Sequence, residues 1–559
     1  MKNNVKKLLC AALSTAMIAG SIVLPMTASA ETTPIFDGDT VEQEWKFDFG
    51  AAGTDAEDGY TLVTPDTNYV TNKEYGFLGI DVDSYKLGNR LDGFGNQKGQ
   101  AIKLKAGGGT GLNDAIGSVG EDSFGNAGDV YYPTRFALKA DDEAYYRVRA
   151  TVTTLDTTKD AEISLYTERK HPIFTDTKVE AGQTKTVEFS VRPTPIYYEK
   201  SEPKGTIADG MVNVCVAGKN SAIASIEIQK VQEYPVFWVL GDSTVTDGNC
   251  SLPFFRLQNY TGVGTGLTKY LPRNYAMVNE GEGGLNAADN YHFNMVKDRI
   301  KAGDYLYVEY GHNHKSDGPT GYVSNLDKYY NACHSVGATL VIVSPIERIN
   351  TFTDGAYQHT LDGFATAGAK YVADKVTAGA TDIAYVDLNS YSLDFYNKIT
   401  TDNGGDSGAI KFYFQTAKGG GTDQTHPNDA GAENLAYEFV KAAKAVTDET
   451  QKAALAPVVN NFTDETPNLV STEITSLGSA PNSAWPQYVV PTDNEYPVVI
   501  KDIKFNEAGE ANYAKVLVQD AKIDFGAYGI IVITVKDENG EEKGKIYAID
   551  QVDNSTGNG

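Results

Sequence analysis

Four short segments, far apart in the chain, carry the residue types that ester hydrolysis through a serine requires. They are Gly241-Asp242-Ser243-Thr244, Asn279 through Gly284, Gly311-His312-Asn313 and Asp423-Gln424-Thr425-His426. A serine hydroxyl is a poor nucleophile at neutral pH and needs a base within hydrogen-bond reach. Histidine is the residue type whose ordinary titration falls near neutrality, which suits His426 to that role for Ser243. Asp423 can turn back to accept from the other imidazole nitrogen, fixing the tautomer and stabilising the imidazolium. Charge that develops on the substrate oxygen needs donors, and loss of one good donor typically costs about 3–4 kcal/mol in kcat. The candidates are the backbone N–H of Ser243, the backbone N–H of Gly284 and the side-chain amide of Asn313. Glycine suits the second place because a bare backbone admits substrate closely and tolerates unusual φ.

Other patterns compete. Gly405-Asp406-Ser407-Gly408 has the look of a chymotrypsin-type nucleophile segment, but it follows a loop, Thr400 to Gly404, and lacks an upstream histidine segment in a β-barrel. His312 and His314 have a spacing found at metal sites, yet no third ligand recurs nearby, so a structural or supporting role is expected and no metal or other cofactor is. A G-x-S-x-G elbow is absent around Ser243, which argues against an α/β-hydrolase.

The first three segments each follow an apolar run that reads as a buried strand. Between Tyr234 and about Thr447, short apolar strands (Val236–Leu240, Tyr305–Tyr310, Leu340–Val343, Ile383–Leu388) alternate with amphipathic stretches near Asp289–Ala302, Tyr322–Val336, Tyr357–Val376 and Asn428–Val446. That alternation predicts a parallel sheet with helices on both faces, with active residues at the carboxyl ends of its strands. From Glu31 to about Gln232 the pattern is instead period two: Tyr146, Val148, Ala150 and Val152 in one run, Val212, Val214 and Val216 in another. Gly-, Asp- and Thr-rich turns separate these runs, which predicts an antiparallel β-sandwich of the jelly-roll kind. After about Glu449 strands are expected again, ending in a hairpin with Asn539-Gly540 as its type I′ turn.

Lys2, Lys6 and Lys7 precede an apolar stretch from Leu8 to Pro25, and Ala28-Ser29-Ala30 fits a small-residue cleavage site. Residues 1–30 therefore read as a secretory signal peptide, and export with no integral membrane segment after cleavage is expected. Removing it leaves 45 basic against 74 acidic residues, a net charge of −29. Such a surface disfavours nucleic acid and anionic membranes, and a polyanionic polysaccharide would need local basic contacts. Cys215, Cys250 and Cys333 are too few for a disulfide scaffold; a Cys250–Cys333 bridge and three buried thiols both fit.

In order, these residues resemble the SGNH (GDSL-type) hydrolase superfamily: Ser243 in Gly-Asp-Ser, Gly284 after Asn279, Asn313 in Gly-His-Asn, and Asp423 with His426 in Asp-x-x-His. The Gly-Asp-Ser-Thr form, Ser344-Pro345-Ile346-Glu347-Arg348, and Phe47-Asp48-Phe49-Gly50 with Tyr75-Gly76-Phe77 are similar to the rhamnogalacturonan acetylesterase branch and its N-terminal module. The chain departs from that branch at Leu285 and Asn286, where Arg-Ser is usual, and at His314, where Asp is usual.

The resemblance implies a flavodoxin-like α/β/α hydrolase domain over residues 233–449. A galactose-binding-like β-sandwich would cover 31–232, with a linker and small C-terminal β domain over 450–559. It implies a secreted esterase that removes acetyl groups from plant cell-wall polysaccharide of the rhamnogalacturonan type. Ser243, Asp423 and His426 would be catalytic, and Ser243, Gly284 and Asn313 would form the oxyanion hole. The alternatives are an acetylxylan or broader esterase, and an inactive carbohydrate-binding surface protein. The sequence leaves open the oligomeric state and the completeness of the C-terminal piece.

Overall fold

The computed structural model describes residues 33–67, 69, 74–78, 102–108, 114–122, 133–168, 170–198, 205–207, 210–247, 260–417, 421–463, 465–469, 498–505, 511–518, 529–536 and 542–550. The expected leader, Cys250 and Asn539-Gly540 lie outside the described residues.

At the centre is a parallel five-stranded sheet. Its spatial order is Ala276–Asn279, Val236–Gly241, Tyr305–Glu309, Thr339–Val343, Ile383–Val386. Numbered by chain position, that is the doubly wound order 2-1-3-4-5, whose switch point lies between the first and third strands. Side chains alternate between two buried faces, which is why the strands read as unbroken apolar runs. Val239, Tyr307, Val341 and Val386 pack under helices Leu388–Asp402, Asp429–Lys444 and Glu449–Val459. Trp238, Leu306, Val308 and Ile342 pack under Tyr291–Lys297, Leu326–Val336 and Asp362–Thr377.

Several boundaries differ from the sequence-based expectation. The stretch from Tyr322 breaks at Ser324-Asn325 into Gly318–Val323 and Leu326–Val336. Residues near Tyr357 form a small hairpin, Phe352–Thr353 with Ala356–Tyr357, before the helix begins at Asp362. The strand from Ile383 ends at Val386 because the Asp387 carboxylate accepts from the Ser390 N–H and opens helix Leu388–Asp402. The expected return of strands at Glu449 is corrected in the same way. Asp448 accepts from the N–H groups of Thr450 and Gln451 and starts helix Glu449–Val459, which buries Leu455 and Val458 against the sheet's core.

The N-terminal part forms two mainly antiparallel sheets around one core. One runs Thr184–Val191, Tyr145–Thr154, Ser221–Val231, Val41–Phe49, Thr61–Val63, with Asp114–Asp122 also paired to Ser221–Val231 and Ile102–Gly108 beyond it; the other runs Tyr75–Phe77, Thr134–Lys139, Met211–Ala217, Ala161–Thr167, His171–Val179. Tyr146, Val148, Ala150 and Val152 face that core as the alternation predicts, with Phe47 from the same sheet beside them and Phe136 and Val214 opposite. Arg147, on the other face, is buried too, since it bridges Asp39, Ser190 and the Asn274 carbonyl of the α/β part. Cys215 and Cys333 are buried free thiols, and burial pushes the Cys215 thiol up to about 12, which keeps it protonated. At the C-terminal end, Val498–Phe505 pairs with Ala511–Val518 and Gly529–Lys536 with Glu542–Asp550, the second being the hairpin expected there. Among the described residues no helix is long and apolar enough to cross a membrane.

Candidate active site

Strand Val236–Gly241 pairs in register with Tyr305–Glu309, so Gly241 lies beside Glu309 at the carboxyl edge of the sheet. Beyond Gly241 the chain turns sharply: the Asp242 carbonyl accepts from the N–H groups of Val245 and Thr246, and its carboxylate accepts from the Thr244 N–H and hydroxyl. Ser243 sits in that turn. His426 arrives from the end of strand Gly421–Pro427, where Asn428 caps helix Asp429–Lys444 by accepting from the Gly431 N–H.

His426 Nε2 lies 2.8 Å from Ser243 Oγ, and His426 Nδ1 lies 2.8 Å from Asp423 Oδ2. The other Asp423 oxygen accepts from the N–H groups of Thr425 and His426 at 2.7 and 2.9 Å, so a turn locks the carboxylate beneath the ring. Burial pushes the Asp423 carboxyl up, but the His426 hydrogen bond and charge with these two N–H groups outweigh it and hold it below the ordinary value. A carboxylate that keeps its charge orders Nδ1–H towards itself and leaves Nε2 to accept from the serine hydroxyl.

Gly284 has φ +77°, a left-handed conformation that glycine adopts freely, and it is exposed. The Glu282 N–H donates to the Gly241 carbonyl, tying this loop to the strand that leads into Ser243. Asn313 Nδ2 donates to the Leu285 carbonyl at 2.9 Å, leaving its second amide hydrogen for another acceptor. Among the described residues neither the Ser243 nor the Gly284 backbone N–H is committed to a protein acceptor. His314 is committed on both ring nitrogens: Nε2 accepts from the Ala287 N–H at 2.9 Å and Nδ1 donates to Asp317 at 3.0 Å. It therefore pins the loop that carries Gly284. His312 is buried with no protein partner on either ring nitrogen, and burial lowers its pKa against the opposing pull of Asp242.

Other expected and unexpected residues fall into place. Ser407 opens a turn capped by Asp406, which accepts from the Gly408 N–H at 2.8 Å, so this segment is a structural turn. Among the described residues, no group of three His, Cys, Asp or Glu side chains is placed to hold a metal ion.

Tyr260 was not foreseen. Its ring packs edge-on against His426 at 5.0 Å between centroids, and its hydroxyl donates to the Ser243 carbonyl. The residues after it hold the Ser243 turn through Gly262 N–H to Thr246 O and Val263 N–H to Thr244 O. The sequence signal for that close approach is the alternating Gly262, Gly264, Gly266. A Cβ at Gly264 would lie 2.4 Å from Val245 O and 2.7 Å from Asn279 Nδ2.

Glu309 was hidden inside an apolar run. It is fully buried below the Ser243 turn, accepts from the Tyr307 hydroxyl and lies within reach of the Thr244 hydroxyl. Burial, with the Tyr307 hydrogen bond opposing and the Asp242 charge reinforcing, raises its carboxyl to about 8. Folded protein then keeps a proton that the unfolded chain loses above about 4.5, so stability falls as pH rises from about 4.5 to about 8 and levels beyond. Glu309→Gln removes this titration. Denaturant midpoints measured across that window are expected to vary less with pH in the variant, and an undiminished slope contradicts the assignment.

No family model matches the chain, and no curated protein does. Among solved structures, a protein from Bacillus subtilis is 19% identical over 72% of this chain and 98% of its own, with a TM-score of 0.33. A family two carbohydrate esterase from Cellvibrio japonicus is 13% identical over 60% of this chain and 92% of its own, with a TM-score of 0.22. A variant of an acetyl xylan esterase from Geobacillus stearothermophilus is 14% identical over 37% and 94%, with a TM-score of 0.26. Likeness at these values carries no argument about the reaction.

Proposed function

We propose that this chain is a secreted serine esterase that removes acetyl groups from plant cell-wall polysaccharide of the rhamnogalacturonan type. The observation that carries the reading is the unbroken relay Ser243 Oγ, His426, Asp423, with both links at 2.8 Å. In the first half-reaction Ser243 Oγ attacks the acetyl carbonyl carbon while its proton passes to His426 Nε2. The N–H groups of Ser243 and Gly284 and the free amide hydrogen of Asn313 receive the oxyanion. As the tetrahedral adduct collapses, the sugar oxygen leaves with the proton from His426. Water then gives a proton to His426 and attacks the acetyl-enzyme; Ser243 recovers a proton as acetate departs.

An acidic sugar is a poor match for a chain of net charge −29 unless a cation stands at the site. Arg348 fits that need. It is half-buried, Nη1 donates to the Thr425 hydroxyl next to His426, and no carboxylate pairs with it among the described residues. Arg348→Ala removes a charge-assisted contact worth about 1.5–3 kcal/mol, so KM on acetylated rhamnogalacturonan should rise roughly ten- to a hundredfold. KM on an uncharged aryl acetate should stay unchanged. An equal rise on both substrates would show that Arg348 acts on the fold of the site instead.

In this reading residues 31–232 form a supporting β domain, 233–449 the catalytic domain, which the helix at Glu449–Val459 extends, and the residues after that helix, to 559, a linker and terminal β domain. The deciding assay is acetate release from acetylated rhamnogalacturonan and acetylated xylan side by side. Faster release from the former is expected. Faster release from xylan overturns the substrate and leaves the mechanism, and no release from any acetyl ester overturns both.

A further inference from the structure

Two consecutive residues of the N-terminal β part cross into the ground behind the triad. Strands Ala161–Thr167 and His171–Val179 form an antiparallel pair whose connecting turn holds Glu168 and Lys170 at φ +35° and +64°. Positive φ is costly for residues with a Cβ, and such strain persists where surrounding structure fixes it for a purpose. Here the turn delivers Lys170 and His171, both buried, into the α/β part.

We propose that Lys170 and His171 are positioning residues for acyl transfer, so that the β part is a working piece of the esterase and not an appended glycan-binding module. The proposal rests on the esterase reading given above. Lys170 Nζ donates to Asp429 Oδ1 at 2.6 Å and to Thr261 Oγ1 at 2.9 Å. Asp429 is the first residue of the helix that follows the His426 loop. Thr261 donates its N–H to the Pro427 carbonyl and its hydroxyl to Asp429, and it follows Tyr260, which holds the Ser243 carbonyl and packs on His426. Lys170 thus closes the junction between the loops that carry nucleophile and base.

His171 closes a second junction. Its Nε2 lies 2.8 Å from Asp247 Oδ1, at the end of the nucleophile turn. The same Asp247 oxygen accepts from Asn279 Nδ2 at 2.8 Å and from Thr265 Oγ1 at 3.1 Å. Asn279 ends the strand that leads into the Gly281–Gly284 loop and accepts from the Gly281 N–H at 3.0 Å. Asp247 thereby ties the serine loop to the loop expected to hold the oxyanion, and His171 holds Asp247 in place. Side chains held on three separate loops keep reacting geometry only if the loops are fixed to one another, and a shift of about 1 Å can cost 10²-fold in rate.

The test uses the full chain and 4-nitrophenyl acetate, a substrate too small to touch a distant glycan surface. Lys170→Met leaves Asp429 buried and unpaired, which destabilises; Lys170→Met with Asp429→Asn removes that lone charge. His171→Phe is the independent probe of the second junction. Rates are normalised to the folded fraction from circular dichroism. The expected result is kcat lower by ten- to a hundredfold in all three, with KM within about twofold, as misplacement of this order produces. The double variant should recover melting temperature towards the parent without recovering kcat. Recovery of both together, or parental kcat in His171→Phe, overturns the proposal, as does loss confined to polysaccharide substrates. An inactive parent protein would instead overturn the esterase reading itself.

Discussion

Ser243→Ala should reduce kcat for acetyl-ester hydrolysis by about 10⁶, the loss typical when the nucleophile of such a relay is removed. The argument is one of bond-making. Without Oγ no acetyl-enzyme forms, and His426 and Asp423, 2.8 Å apart, are left holding a base with nothing to activate except water. The remaining donors still bind a carbonyl, so a residual rate above the uncatalysed one, by about 10³–10⁴, is expected. The unfolding midpoint should stay close to the parent value, because the side chain's one hydrogen bond is to His426, which is itself part-exposed at 29%. Stopped-flow measurement of the first turnover separates this from a slow second step: the burst of leaving group disappears. A variant that retains a burst excludes Ser243 as the nucleophile.

Asp423→Asn has the second-largest expected effect, about 10⁴ in kcat. An asparagine keeps the shape and can keep the turn, since its oxygen still accepts from the N–H groups of Thr425 and His426. What it loses is charge. An amide NH₂ facing Nδ1 favours the tautomer with the proton on Nε2, the atom that must accept from Ser243 Oγ. KM should change little, because no substrate contact is removed. The same substitution has an acid-side signature. The Asp423 carboxyl is held below its ordinary 3.8, so its contribution to stability is present above that value and is lost as pH falls through the lower folded value. Denaturant midpoints of the variant should therefore decline less steeply below about pH 4 than those of the parent. A kcat within tenfold of the parent would remove Asp423 from the relay.

The convergence of Ser243, His426 and Asp423 was legible because each pattern is local: a turn after an apolar strand, and an Asp-x-x-His in which one carboxylate can reach both backbone and ring. The parallel sheet was legible because burial on both faces turns strands such as Tyr305–Glu309 into apolar runs. The same burial concealed Glu309, since one acid at the end of such a run does not disturb its pattern. Helix Leu388–Asp402 was missed because its Asp387 cap follows directly on strand Ile383–Val386, leaving no turn residues between them. Helix Glu449–Val459 was missed because Pro457 sits inside it and its apolar face is narrow. Lys170 and His171 were beyond any local reading. Their partners Asp429 and Asp247 lie 259 and 76 positions away, and only tertiary packing unites them.

Active-site labelling with a fluorophosphonate tests the central claim most directly. Digestion and mass analysis of the treated native protein should locate one adduct, on Ser243. It should be missing from the urea-unfolded chain and from Ser243→Ala, and acetyl-esterase activity should vanish in step with its formation. An adduct on another serine, or full labelling of Ser243 with activity intact, would contradict the account.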